Sequence, residues 1–384
     1  MRVVVIGGGV AGLAAARGLL TVGHDVVVLE RSPVLRASGG ALTLWSNGLR
    51  ALDELGVELT GVGREIDLFE AWRSNGRPIW RIDVASVRRR LGRGAVTLPR
   101  QRLVERIAMA LPPSTVRFGC DVVRVEANAR GVTALCSDGV RVEADVAVGA
   151  DGWRSLVRQR FVGGVARPTG WATWQGLIDS DHPIAGGAVG VNVIGPGGVA
   201  GFLPAGEGLL QWWFEVPFAA SEKPPKSPVD MLRSRFGEWP DPVAAILAGV
   251  HEAELFPHWR HDVPKVWGTD RTTLVGDAAH VMPPALAQGA NQSIEDAWLL
   301  ARTLSDVHVS DVSDVSDVSD VAASLRRYES ARRRRVALVS RLALFATTQQ
   351  GRPWTTVSRL PSGPTTWVCA IALRASSTRS WRDR

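Results

Sequence analysis

The first twelve residues, MRVVVIGGGVAG, carry the feature that most restricts how this chain can fold. Arg2 to Ile6 reads as a buried strand of a parallel sheet, and Val10 to Leu20 has helical spacing with alanines for close packing. Between them stands Gly7-x-Gly9-x-x-Gly12. In such a turn the first glycine permits the bend, the second admits a pyrophosphate against backbone amides, and the third lets helix and strand touch. The positive end of the helix then faces the phosphates. A second strand, DVVVLE, ends at Glu30, roughly twenty positions after Gly12, where an acid can accept from ribose hydroxyls. That favours an adenosine with a free 2′-hydroxyl, FAD or NAD rather than NADP, and the turn alone does not choose between these two.

The chain has 384 residues, enough for two domains or one composite domain, with 45% hydrophobic and 22% charged residues. No apolar run approaches the roughly 20 residues of a membrane span, and MRVVVIGGG enters a strand directly, so neither a span nor a secretory leader is expected. Cys120, Cys136 and Cys369 share no metal-like or redox spacing. Free thiols in a reducing cytoplasm are the simple expectation, with no metal. The net charge of +7 comes partly from Arg326, Arg327 and Arg332 to Arg335 on one C-terminal helix, a run read as a solvated face rather than a nucleic-acid site.

Two further segments join the N-terminal turn. Val142 to Arg158, VEADVAVGADGWRSLVR, reads as strand, Asp-Gly turn and helix start. TTLVGDAAH reads as another strand, followed by Pro283, Pro284 and a helix from about Gln288. In this order the three resemble the single-component FAD-dependent aromatic hydroxylases, the para-hydroxybenzoate hydroxylase-like flavoprotein monooxygenases, from residue 1 to about 345.

The resemblance implies an α/β fold: a Rossmann-like FAD-binding domain, an inserted antiparallel β-sheet substrate domain and C-terminal helices. Non-covalent FAD is expected against Gly7, Gly9, Ala11 and Gly12, with Glu30 and Arg31 at the adenosine end. Gly40, beside Gly39, lies on the loop approaching the ring, and Arg100 reaches the cofactor with a planar fork; Arg102 beside it is the plain surface cation. Asp151 and Gly152 serve the pyrophosphate region and transient docking of NADH or NADPH, for which Arg154 and Arg158 could neutralise phosphate; an Arg158–Asp151 pair is the structural alternative. Asp277 bonds the ribityl hydroxyls, and Pro284 with Pro283 fixes an extended loop against the isoalloxazine. Gly289, Ala290 and Asn291 open a helix whose free amides favour negative charge on the reduced ring. Asp296 reads as structural. Ala287 departs from the pattern, since related chains usually carry Gly there.

The same resemblance divides the chain into a discontinuous FAD-binding domain (1–68, 97–163, 265–345) and a substrate domain (69–96, 164–264). Segment 305–321, a period-three SDV repeat, reads as a surface loop, and 346–384 as a tail too short for a further domain. The implied reaction is reduction of FAD by NAD(P)H, capture of O2 as a flavin C4a-hydroperoxide, and oxygenation of an aromatic or polycyclic small molecule. A flavin dehydrogenase, oxidase or cyclase is the alternative. GWATWQGL lacks the W-x-W-x-I-P element of tryptophan halogenases. Fifteen tryptophans against one tyrosine point to an indole-lined pocket, with Trp45, Trp72, Trp174 and Trp212 as its candidates. Adjacent Trp212 and Trp213 must face opposite sides of a strand. Tyr328, in the C-terminal helix, leaves no tyrosine for deprotonating a phenol.

Overall fold

A doubly buried strand belongs inside a parallel sheet, and Arg2–Ile6 is the central one of five. The computed structural model describes residues 1–35, 39–307, 315–348 and 362–376. Its parallel strands run in the order Thr272–Leu274, Val146–Gly149, Arg2–Ile6, Asp25–Leu29, Val116–Arg117. Val3, Val4 and Val5 are fully buried and share a core with helices Val10–Thr21 and Gly289–Leu304. The register aligns the carboxyl ends of the strands. Ile6 pairs with Gly149 and with Leu29, and Gly149 pairs with Leu274, so four strands end side by side.

A seven-stranded sheet has the order Glu254–Arg260, Arg167–Asp179, Leu209–Pro217, Gly198–Gly206, Val189–Gly195, Leu68–Arg73, Pro78–Asp83. All its pairs are antiparallel but one: Val189–Gly195 runs parallel to Leu68–Arg73. That pair joins two distant stretches of chain, which no hairpin links, so no tight turn forces opposite directions. On one face Trp212, Phe214 and Val216 alternate into a core closed by helices Pro228–Phe236 and Val243–Ala248. This outer face carries Leu232, Phe236 and Ile246 against the strands.

The C-terminal region departs from its sequence reading in three ways. A helix runs from Val315 to Thr348, so its start falls inside the SDV repeat expected as a loop; residues 308–314 lie outside the described ones. Val321, at the end of the repeat, is fully buried. The arginine run is a solvated face only in part: Arg327 and Arg334 are exposed, but Arg332 is fully buried, and Arg326 donates to Thr269 O (2.9 Å) and Glu329 (2.7 Å). Finally, the expected tail contains helix Ser362–Ser376. Its Ala370 and Leu373 pack with Trp45, Ile66, Phe69, Val84 and Val87.

Candidate active site

The four aligned strand ends bring the motif loops to one edge: Gly7 follows Ile6, Glu30 follows Leu29, Asp151 follows Gly149 by two, and Asp277 follows Leu274 by three. Open parallel sheets hold ligands at this carboxyl edge. Gly12 is required by packing, because a Cβ there would stand 1.9 Å from Gly7 O. Gly9 is different. Its φ of −79° and ψ of −174° suit any residue, and an added Cβ would meet nothing within 4 Å. The protein leaves that space open, as a pyrophosphate cradle requires. The Glu30 carboxylate lies across the turn, accepting from Gly8 N (2.6 Å) and Ser32 N (2.8 Å).

Asp151 accepts from Leu156 N (2.7 Å) and Val157 N (3.3 Å) through Oδ2, tying the start of helix Leu156–Phe161 to the strand end. Its Oδ1 is buried without a partner among the described residues, and burial pushes its carboxyl up. An orphaned acceptor at this edge fits a hydroxyl-bearing ligand. Arg158 does not pair with Asp151. It donates to Ala278 O (3.2 Å), Ala279 O (2.9 Å) and Asp262 O (3.1 Å), joining the Asp151 and Asp277 loops. Beside it a cavity of about 150 Å³ is lined by Trp153, Arg154, Arg158 and His261. Trp153 stacks on Trp259 at 4.5 Å, with the Arg154 guanidinium 4.2 Å from its ring.

Asp277 is set by its predecessor. Gly276 has φ +60°, and a Cβ on it would reach within 2.7 Å of Ala11 Cβ and 2.8 Å of Ser293 Oγ. Gly276 N donates to Asp296 Oδ2 (2.9 Å), which also contacts His280 Nε2 (2.5 Å); Asp296 Oδ1 accepts from Arg332 Nε (2.6 Å). Arg332 reaches Glu295 (2.6 Å) and Gln292 Oε1 (2.7 Å) as well, and Asp296, Glu295 and Arg332 are all fully buried. Burial alone would raise the Asp296 carboxyl, but His280 and Arg332 outweigh it and hold it below the usual range. Asp296 is thus structural, fixing the turn from behind. The Asp277 carboxylate accepts no side-chain hydrogen bond among the described residues; burial pushes it up, offset in part by His280 and Arg100. Arg100 is thus near enough for its charge to act on Asp277, and its backbone N donates to Gly40 O (3.1 Å).

The loop after Pro283 turns through Pro284–Leu286 to Ala287, whose φ of +50° and ψ of 36° are left-handed. That conformation explains why glycine suits the position. The Ala287 methyl packs beside the cluster containing Trp45 and Leu373. Helix Gly289–Leu304 then starts; its first i→i−4 bond is Gln292 N to Gln288 O (2.8 Å), so the amides of Gly289 and Ala290 precede the ladder. An added Cβ on Gly289 would meet nothing within 4 Å. The Asn291 side chain, expected among the cofactor contacts, is engaged within the protein: Oδ1 accepts from Trp45 N (2.8 Å) and Nδ2 donates to Thr43 O (3.0 Å) and Ala287 O (2.6 Å). Only its backbone amide is left for a ligand. Arg31 is exposed, and Ala290 packs partly into the main core.

Three of the four candidate pocket tryptophans face away from this edge. Trp174 and Trp212 are buried in the outer core, and Trp72 packs against the same cluster. The inner face holds their neighbours instead: Gln211 touches Gly40, and Trp213 and Trp80 pack with Trp45. Alternation separates Trp212 from Trp213 but cannot say which is inside; the helices that come next in sequence decide it by covering the Trp212 face. The His280–Asp296–Arg332 network also escaped the sequence, because Arg332 sits within a run of surface-like arginines.

Residues 1–342 match the FAD binding domain family, and the chain belongs to it. It is 33% identical over 359 residues to a 3-amino-4-hydroxybenzoate 2-monooxygenase of Streptomyces platensis, covering 88% of this chain and 86% of the relative. It is 28% identical over 360 residues to an FAD-dependent urate hydroxylase of Mycolicibacterium vanbaalenii, covering 88% and 85%. The fold matches that of Klebsiella pneumoniae HpxO complexed with FAD and uric acid, with a TM-score of 0.89, 24% identity, and 98% and 97% of the chains covered. The chain is an FAD-dependent aromatic monooxygenase that uses NAD(P)H and O2.

Proposed function

We propose that this enzyme hydroxylates a flat aromatic or polycyclic molecule held between the inner face of the seven-stranded sheet and an FAD seated along the four aligned strand ends. The observation that carries the reading is the register that brings Gly9, Glu30, Asp151 and Asp277 to one edge. FAD, when bound, supplies hydride acceptance from NAD(P)H and activation of O2. The chain supplies position and charge. Amides at the start of helix Val10–Thr21 hold the pyrophosphate in the space above Gly9, and Glu30 accepts from the ribose. Asp277 and Arg100 face the ribityl region, and the free amides of Gly289, Ala290 and Asn291 favour negative charge on the ring. The prolines and the sheet exclude water around the reacting centre. NAD(P)H docks at the cavity beside Asp151, where Arg154 offers a cation to phosphate and the Trp153–Trp259 stack offers a flat surface. Tyr328 is buried and donates to Leu274 O (3.0 Å), so no tyrosine proton relay serves the substrate. Three free cysteines suit a reducing cytoplasm as the enzyme's compartment.

The test is NADH and NADPH oxidation by purified holoenzyme with a panel of aromatic compounds, uncharged 3-amino-4-hydroxybenzamide beside 3-amino-4-hydroxybenzoate and urate, followed by product mass. A product one oxygen atom heavier is expected. Stimulated oxidation that yields only peroxide or a desaturated product would reject hydroxylation.

A further inference from the structure

We propose that the substrate is an uncharged planar aromatic, read by one cross-strand row of the sheet, Gln175–Trp213–Gly201–Asn192, and not an aromatic carboxylate. The inference rests on the placement of the substrate against this face. Gln175 pairs with Trp213, Trp213 with Gly201, and Gly201 with Asn192, so all four share a side of the sheet. It is the side away from the outer core: Trp174, Trp212, Phe214 and Val193, their neighbours along the strands, are buried under the outer helices, whereas Gln175, Trp213 and Asn192 keep accessible surface.

The row is built around a ring. A Cβ on Gly201 would fall 2.0 Å from Trp213 Cζ2, so the missing side chain is what lets the indole lie across the strand. This presents an aromatic surface flanked on each side by a carboxamide. Neither carboxamide makes a side-chain hydrogen bond among the described residues. Each offers both a donor and an acceptor, which suits hydroxyl, amine or lactam groups on opposite edges of a neutral ring. A carboxylate is best recognised by a guanidinium fork, and the row has no cation. Arg73, on the same side, stands at the end of strand Leu68–Arg73, next to the turn that leads to Pro78.

The experiment compares 3-amino-4-hydroxybenzamide with 3-amino-4-hydroxybenzoate, two rings of one shape that differ by a charge. Dissociation constants are read from perturbation of the flavin absorbance of the holoenzyme. The amide is expected to bind at least about tenfold more tightly. Gln175→Leu and Asn192→Leu should each weaken amide binding several-fold while retaining FAD, and Asn192→Arg should shift preference toward the benzoate. Equal or tighter binding of the benzoate by wild-type protein overturns the inference and leaves the hydroxylase assignment intact. Holoenzyme whose flavin responds to neither compound overturns the placement of an aromatic on this face, and the inference with it.

Discussion

Ala287 shows how a single residue can satisfy opposing demands. At φ +50° an alanine costs about 1–2 kcal/mol more than glycine. Glycine would lose about 0.4–1 kcal/mol through the freer unfolded chain, plus the contact of a half-buried methyl. The terms nearly cancel, so Ala287→Gly should change stability by less than about 0.5 kcal/mol, whereas Ala287→Val, with a branched Cβ in that region, should cost about 2 kcal/mol or more. Urea denaturation of the three proteins decides this. Asp277 presents the opposite case, a carboxylate that accepts no side-chain hydrogen bond among the described residues. Removing an acceptor of ligand hydroxyls should cost binding alone: Asp277→Ala is expected to weaken FAD retention by about tenfold or more with unchanged folding. Undiminished FAD affinity, measured by fluorescence titration of apoprotein, would reject its role. The sequence displayed Asp277 because its motif is local. It hid Arg332, whose meaning depends on Asp296 and Glu295, residues brought to it only by folding.

Helix Ser362–Ser376 marks the limit of reading elements by pattern. Its buried Thr366, Ala370 and Leu373 follow the i, i+4, i+7 spacing of one helical face, yet only Leu373 is strongly apolar. Trp367, Val368 and Ile371, the residues that look like core, are exposed. The periodic signal is therefore inverted, and composition alone yields a tail. Strands Arg2–Ile6, Asp25–Leu29 and Val146–Gly149 were legible for the converse reason, being short, nearly continuous apolar runs that end at the motif turns. Docking of this helix is specific: Asp83 N donates to Thr366 Oγ1 (2.9 Å), and Leu373 enters the cluster with Trp45 and Phe69. Leu373→Ala should cost about 2–3 kcal/mol, and Trp367→Ala less than about 0.5 kcal/mol. Thermal denaturation with equal losses from the two would mean that the helix is held by another face.

At the scale of the whole molecule, two sheets must stay in register across a seam, and histidines hold part of it. His258 Nε2 meets Thr173 Oγ1 (2.7 Å) within the seven-stranded sheet. His261, just beyond that sheet, donates from Nε2 to Trp153 O (3.1 Å) in the Asp-Gly loop, while its backbone N donates to Val281 O (2.9 Å). Neither connection was visible in the sequence, because both partners come from segments distant along the chain. Burial pushes His258 down to about 3 and His261 down to about 4, the latter helped by the Arg158 charge. Both are therefore neutral in the folded protein near pH 5, while the unfolded chain protonates them below about 6.5. Their contribution is fully present above the unfolded value and is lost as pH falls through the window from about 6.5 to 4 for His261 and from about 6.5 to 3 for His258. Across it the unfolded state binds up to two more protons, so stability should fall by about 2–3 kcal/mol per pH unit at the steepest point. Loosening the joint between the sheet and the Asp151 loop should also release FAD at acid pH before the protein fully unfolds. His261→Asn should flatten the stability profile between pH 4 and 6.5 and shift acid release of FAD to lower pH; His258→Asn should flatten the profile with less effect on release. Urea titrations from pH 4.5 to 8, read together with free-flavin fluorescence, test both, and an unchanged slope in the double variant would show that the acid sensitivity lies elsewhere.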